Sequence, residues 1–168
     1  IREIGKVIQE KIQNYGFSPI RNLSGHGLGI YKVHDKPTIP NYDNNDETKL
    51  EVGQVFAIEP FATNGVGLVI DSKPSEIYRL KIKKPVRDFK TRKILEFIET
   101  KYKGLPFAKR WLFKNFDEFK VNIALSNLER VGILHQYGQL VEKSRGLVSQ
   151  AEHSVLVLDN GVKVLTEL

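Results

Sequence analysis

The 168-residue chain contains no cysteine and no methionine. Without cysteine it can form neither a disulfide nor a thiolate metal site, so the expected setting is the reducing cytoplasm. Without methionine it has no initiator residue, and its opening "IREIGKVIQE" already shows the apolar spacing of an amphipathic helix. We therefore expect a fragment of a longer protein. No apolar run approaches the roughly 20 residues of a membrane span, so no membrane association is expected.

Positive charge is distributed unevenly along the chain. The net charge is +6 and the sequence pI is about 9.4. Between Arg79 and Lys114 there are thirteen lysines or arginines and three acidic residues. A solvated, charge-rich surface of the kind found in thermophiles explains this excess, and so does an electrostatic contact with nucleic acid. The composition leaves both interpretations open.

The order of the predicted elements places strands on either side of a helical block. Strands and turns are predicted up to about residue 80, with a polar loop at "HDKPTIPNYDNNDET". Three helices follow between about residues 85 and 132, with Gly104 and Gly132 as C-terminal stops and Trp111 in their core. The tail returns to strand, where "DNGV" is typical of a hairpin turn. The pattern predicts an α+β fold.

Three ionisable residues interrupt apolar segments that we interpret as buried strands. They are His26 in "SGHGLGI", Glu59 in "VFAIEPFA" and Glu152 in "SQAEHSVLVL". A buried carboxylate is costly unless it is paired or bound to a cation. An ion pair or an exposed strand face explains either glutamate alone. The three residues together also fit a divalent metal bound by oxygen and imidazole ligands.

Glycines surround His26 in an alternating pattern. Gly25, Gly27 and Gly29 leave one face of the predicted strand bare, so another backbone or a ligand can approach it closely. A phosphate-binding loop would require a helix to follow. Here "YKV" and a proline-containing segment follow. The pattern therefore favours close backbone packing over a phosphate loop.

Taken in order, "GHGLGIYKVHDKPTIPNY", "GQVFAIEPFATNGVG" and "SQAEHSVLVL" resemble the motifs of type II methionine aminopeptidases of the archaeal type. The resemblance covers essentially the whole chain and includes the helical block before the third motif. It implies the C-terminal half of the pita-bread fold, with residues 1–78 and 130–168 in the catalytic domain. Residues 79–129 would then be a helical, winged-helix-like insertion. The implied activity is removal of the N-terminal methionine from nascent proteins in the cytoplasm.

The resemblance also implies roles for individual residues. His26, Glu59 and Glu152 match metal ligands in a centre of two divalent ions, which could be cobalt, manganese, iron or zinc. Glu59 also matches the residue that takes the proton of the attacking water. His34 matches a histidine that contacts the substrate and stabilises the tetrahedral intermediate. These four residues form the predicted catalytic and metal-binding site.

Two further residues, Tyr137 and Ile77, fall where the family lines its methionine side-chain pocket. The family's two aspartate ligands and another active-site histidine have no counterpart, because no aspartate precedes His26. We therefore expect the N-terminal half of the same enzyme to supply these residues, and this chain alone to be a poor peptidase. Nascent polypeptides are the expected substrate, and the ribosome is an expected contact of the basic block. The competing interpretation is a non-catalytic pita-bread protein that binds nucleic acid or the ribosome through that block.

Overall fold

The computed structural model describes residues 1–167. In chain order the elements are α1 (Arg2–Asn14), β1 (Ser18–Pro19), β2 (Ser24–Gly29), β3 (Lys32–Pro40), β4 (Val55–Ile58), β5 (Phe61–Thr63), β6 (Val69–Leu80), α2 (Phe89–Lys101), β7 (Phe107–Ala108), α3 (Lys109–Leu112), α4 (Glu118–Arg130), β8 (Leu134–Glu142), β9 (Val148–Gln150), β10 (His153–Leu158) and β11 (Gly161–Val164). The predicted α+β class is confirmed. None of the helices in these residues is long and apolar enough to span a membrane.

The chain forms two compact units. One comprises Ile1–Asp71 and the chain from Leu140 onward, and the other comprises Ser72–Gln139. The chain passes between the units within β6 and returns within β8. The predicted insertion, residues 79–129, lies within the second unit, which also contains the adjoining parts of these two strands.

The first unit is built on two antiparallel sheets. The larger sheet has the strand order β11-β10-β4-β2-β3, and the smaller has the order β1-β5-β9. Ile39, Phe56 and Val155 form the buried apolar cluster of the larger sheet. Helix α1 buries Gly5 and Ile12, and a side chain at Gly5 would collide with the backbone carbonyl of Tyr42.

The strand that contains His34 is longer than the sequence predicts. The segment assigned to a polar loop continues as β3 up to Pro40, because it pairs with β2 over the glycine-rich motif. His26 lies opposite Thr38, and the register shifts between His26 and Gly27. Pro37 falls in this irregularity, where a residue without an N–H donor costs no ladder hydrogen bond.

The second unit packs three helices with the sheet β7-β6-β8. Asp88 and Asp117 begin α2 and α4 by accepting hydrogen bonds from the backbone N–H groups of Thr91 and Lys120, at 2.6 and 3.1 Å. The buried core residues of this unit are Tyr78, Ile94, Leu95, Ile98, Phe107, Leu112, Val121, Ala124, Leu125, Leu128, Ile133 and Leu134.

Two details of the helical block differ from the sequence prediction. Gly132 has a φ of 73° just after α4 and is confirmed as a helix stop, but after α2 the left-handed residue is Lys103 (φ 55°) instead of Gly104. The prediction that Trp111 lies in the core is wrong, because the side chain is 42% exposed. Leu112, its neighbour in the short helix α3, is the residue that packs inside.

Candidate functional site

His26 is positioned by strand β2, which lies between β3 and β4 in the larger sheet. A Cβ on Gly25 would collide with the backbone of Ala57 in β4, and a Cβ on Gly27 would collide with the backbone of Lys36 in β3. The predicted close backbone approach is therefore confirmed. Glycines on both sides of His26 allow the two neighbouring strands to close in around it.

His26 and Glu59 form a half-buried pair. The His26 Nε2 atom lies 3.0 Å from Glu59 Oε1, and the two side chains are 13% and 14% exposed. Glu59 reaches this position because it directly follows β4, the strand that pairs with β2. His26 lies within β2, as predicted, whereas Glu59 lies just outside β4, so the interpretation that it interrupts a strand is wrong.

The second ring nitrogen of His26 indicates the tautomer. Nδ1 lies 3.0 Å from the carbonyl oxygen of Gly27, which can only accept a hydrogen bond. A proton on Nδ1 makes this contact, and in the neutral ring Nε2 then carries a lone pair that faces Glu59. Two acceptor atoms 3.0 Å apart require a proton or a cation between them. The pair therefore offers the donor types that divalent metals bind.

Glu152 is joined to this pair through Gln150. The Nε2 atom of Gln150 lies 3.1 Å from Glu59 Oε2 and 3.4 Å from Glu152 Oε2. Glu152 follows β9 and is exposed, so the expectation that it interrupts a buried strand is wrong. Strand β9 ends at Gln150 and β10 begins at His153, so Glu152 lies in the short link between them.

His34 lies beside His26. Their ring centroids are 4.5 Å apart, with the ring planes at 84°. Both histidines line a cavity of about 520 Å³, together with residues of β2 and β3 that include Ser24 and Thr38. An imidazole at the edge of a cavity can contact a molecule that enters it.

Burial raises the pKa of Glu59 above its ordinary value, and the Glu152 carboxylate raises it further. His26 and the hydrogen bond from Gln150 act in the opposite direction. Among residues 1–167 no group of three or more histidine, aspartate or glutamate side chains is arranged so that it could hold a metal ion. The donor types fit a divalent ion, but these residues do not form a complete site. The ligand roles of His26, Glu59 and Glu152 stay predictions.

The two residues assigned to a methionine pocket lie in the second unit. The Tyr137 ring contacts His135, with 4.9 Å between the centroids, and Ile77 lies opposite Ala108 in the ladder of β6 and β7. Their substrate-binding roles stay predictions.

Sequence reasoning missed Gln150, although one signal was present. Gln150 and Glu152 are two positions apart, which puts alternate side chains of an extended chain on one face.

Comparison with solved structures identifies the fold. A thermophilic Arx1 matches with a TM-score of 0.76 and 20% identity, over 94% of this chain and 43% of that one. The methionine aminopeptidase of Rickettsia prowazekii matches with a TM-score of 0.53 and 21% identity, over 97% of this chain and 41% of that one. The chain therefore has the pita-bread fold, and the fold prediction is confirmed.

Sequence comparison identifies the family. Residues 1–105 match the model of metallopeptidase family M24. The methionine aminopeptidases of Archaeoglobus fulgidus and Methanocaldococcus jannaschii are 50% and 43% identical over 167 residues. The chain belongs to metallopeptidase family M24 and is similar to archaeal methionine aminopeptidases, as the motifs indicated. These matches cover 99% of this chain and 56% of the length of each relative, so the chain spans about half of the curated proteins that it matches.

Proposed function

We propose that the chain is part of an enzyme that removes N-terminal methionine from nascent polypeptides, with two divalent metal ions at its centre. The observation that carries this proposal is the His26–Glu59 pair, joined to Glu152 through Gln150. The 50% identity to a methionine aminopeptidase adds support for the substrate. Nascent polypeptides are cytoplasmic, so we propose the same location for the enzyme.

His26, Glu59 and Glu152 would hold the metal ions, which when bound polarise the scissile carbonyl and make water a stronger nucleophile. Glu59 takes the proton of the attacking water and later passes it to the leaving amine. His34, beside His26, donates a hydrogen bond to the oxyanion that develops on the substrate.

The proposed centre needs a second polypeptide segment. No aspartate precedes His26, whereas two aspartates and a further histidine are expected from the resemblance. We propose that the N-terminal half of the same enzyme supplies them. The matched relatives are long enough to contain such a half, because this chain spans only 56% of their length.

The experiment is hydrolysis of Met-Ala-Ser in the presence of Co²⁺ or Mn²⁺. The chain alone should release little or no methionine, and adding the N-terminal half of a matched relative should restore turnover. Glu59→Gln should abolish the restored activity, because the amide cannot accept the water proton. Efficient metal-dependent turnover by the 168-residue chain alone would show that the site is wrongly assigned.

A second proposed role is contact with the ribosome through the cationic segment, which we define as residues 81–93. Its seven cations are Lys81, Lys83, Lys84, Arg87, Lys90, Arg92 and Lys93, and all of them are exposed. Within residues 1–167 none of them forms an ion pair within 4 Å of a carboxylate. Lys93 Nζ lies 4.6 Å from the ring centroid of Phe89, which is 57% exposed. Unpaired cations around an exposed ring suit the phosphates and bases of RNA.

The test is co-sedimentation with ribosomes at low salt. The variant carries five changes, Lys83→Glu, Lys84→Glu, Arg87→Glu, Lys90→Glu and Lys93→Glu, and should lose most of its binding. Binding by the unchanged chain should fall steeply with added salt, because each neutralised phosphate releases counterions. The matched control has five exposed cations of the first unit changed to glutamate: Lys6, Arg21, Lys49, Lys143 and Lys163. If both variants bind ribosomes equally well, the cationic segment has no role in binding and is only a solvated surface.

A further inference from the structure

Gln150 makes an unusual pair of contacts for an exposed side chain. Its single amide nitrogen lies within hydrogen-bonding distance of two carboxylates, 3.1 Å from Glu59 Oε2 and 3.4 Å from Glu152 Oε2. A primary amide nitrogen carries two hydrogens, so it can donate to both oxygens at once. Two carboxylates this close to one atom repel each other, and the donor between them offsets part of that repulsion.

The contact uses the oxygen of Glu59 that His26 does not use. Oε1 of Glu59 faces Nε2 of His26 at 3.0 Å, and Oε2 faces Gln150 at 3.1 Å. Because each oxygen of Glu59 contacts a different side chain, the orientation of the carboxylate plane is fixed. Hydrogen bonds of this kind from a neighbouring residue commonly orient the groups that bind a metal.

Backbone pairing places Gln150 at this point. Gln150 is the last residue of β9 and lies opposite Phe61 in β5, two positions beyond Glu59. The next residue, Ala151, donates its backbone N–H to the carbonyl of Pro60 at 3.1 Å. The ladder therefore brings the segment that contains Gln150 alongside the segment that follows Glu59, independently of any ligand.

We propose that Gln150 is a positioning residue that directs the Glu59 carboxylate toward His26 and ties it to Glu152. The inference rests on the proposed function for its purpose, since an oriented His26–Glu59–Glu152 set is what a divalent centre needs. The positioning itself concerns only residues of this chain and can be measured without metal.

The first arm of the experiment uses the metal-free chain. Two-bond ¹H–¹⁵N spectra of the His26 ring report the environment of Nε2, which faces Glu59. Gln150→Met keeps the length of the side chain and removes the donor, so it should shift the Nε2 resonance. Ser149→Ala, on the same exposed strand, is the matched control and should leave it unchanged. Gln150→Asn keeps the amide on a shorter chain and should shift the same resonance, which provides a second variant if Gln150→Met does not fold.

The second arm is calorimetric titration of Co²⁺ into the chain combined with the N-terminal half of a matched relative, which supplies the remaining expected ligands. The visible absorption of the bound ion is the spectroscopic signature. Gln150→Met should bind Co²⁺ about 10 to 100 times more weakly than the unchanged chain and with altered absorption bands. Glu59→Gln tests the ligand assignment itself. If the unchanged chain combined with that half binds no Co²⁺, or Glu59→Gln in the same combination binds it equally well, the proposed metal site is wrong. The ring spectra of the metal-free chain then decide alone whether Gln150 is a positioning residue. Unchanged His26 resonances in both Gln150 variants would overturn the positioning role.

Discussion

At the scale of the residue, Glu142 shows how one buried carboxylate can organise a loop. Its oxygens accept hydrogen bonds from the backbone N–H groups of Val66, Ser144 and Gly146, at 2.7, 2.7 and 3.0 Å, and from the Ser144 hydroxyl at 2.7 Å. These bonds, that of the Ser144 side chain foremost, lower the pKa of Glu142 to about 2, although burial acts in the opposite direction. A carboxylate bound in this way stabilises the fold only while it is ionised.

We predict that Glu142 contributes to acid sensitivity. The folded-state pKa is about 2 and the ordinary value is 4.5, so the contribution is complete above about pH 5 and is lost as the pH falls toward 2. Glu142→Gln should lower the free energy of unfolding at pH 7, and its difference from the unchanged chain should shrink between about pH 5 and 2. Urea unfolding across this range measures both values. Glu51→Gln, at an exposed loop position, is the control, and a difference for Glu142→Gln that does not change with pH would contradict the prediction.

At the scale of the element, strand β2 depends on glycines of two kinds. The Cα of Gly27 faces the backbone of Lys36 so closely that no side chain fits. At Gly29 an added Cβ would meet a side chain instead, because it would lie 2.7 Å from the Oδ2 atom of Asp35. Asp35 is partly exposed and its carboxylate can move, whereas the backbone of a paired strand cannot.

We predict that Gly27→Ala destabilises the chain and Gly29→Ala does so much less. The added methyl at Gly27 must push β3 away from β2, at a cost of about 1 to 3 kcal/mol. The same shift would separate His34 from His26, so the ring resonances of both histidines should move. Thermal unfolding and two-bond ¹H–¹⁵N spectra measure the two effects. Equal destabilisation by the two variants would show that the backbone contact does not limit the strand.

At the scale of the whole molecule, the two units bury very different amounts of apolar side chain. The second unit contains twelve buried core residues, eleven from three strands and three helices and one, Ile133, from the turn between α4 and β8. The buried apolar cluster of the larger sheet in the first unit has three, Ile39, Phe56 and Val155. Further buried apolar residues of that unit are Ile12, Ile20, Ala57 and Val69. Apolar burial is the main favourable term in folding, so local opening should cost less in the first unit.

We predict that hydrogen exchange will separate the two units. Backbone amides of α2 and α4 should exchange more slowly than those of β2, β4 and β10, because the helices pack on the larger core. Exchange followed by mass spectrometry resolves these segments. Leu128→Ala should speed exchange in α2 and α4, since it opens a cavity in their shared core. Slower exchange in β2, β4 and β10 than in the helices would contradict the prediction.

Much of the architecture could be predicted from short-range patterns. Three helices between two strand-rich segments, the stop at Gly132 and the close approach at Gly25 and Gly27 follow from periodicity and from glycine itself. The length of β3 could not be predicted in this way. Its proline and charged residues are typical of a loop, and only pairing with β2 keeps them extended. Trp111 was misplaced for a related reason, because apolar character does not tell which of two adjacent residues faces the core.

The sequence by itself determined the family, and it predicts the chemical types of the candidate site: an imidazole and two carboxylates, each in a motif whose order resembles that of the family. The family is identified from 105 consecutive residues, and this needs no coordinates. Tertiary structure decided which atoms meet. His26 Nε2 faces Glu59 Oε1, His34 lies against His26, and Gln150 joins Glu59 to Glu152. The contacts of Glu59 with His26 and Gln150 join residues far apart in the chain, and strand pairing brings them together, so no local pattern could have predicted them.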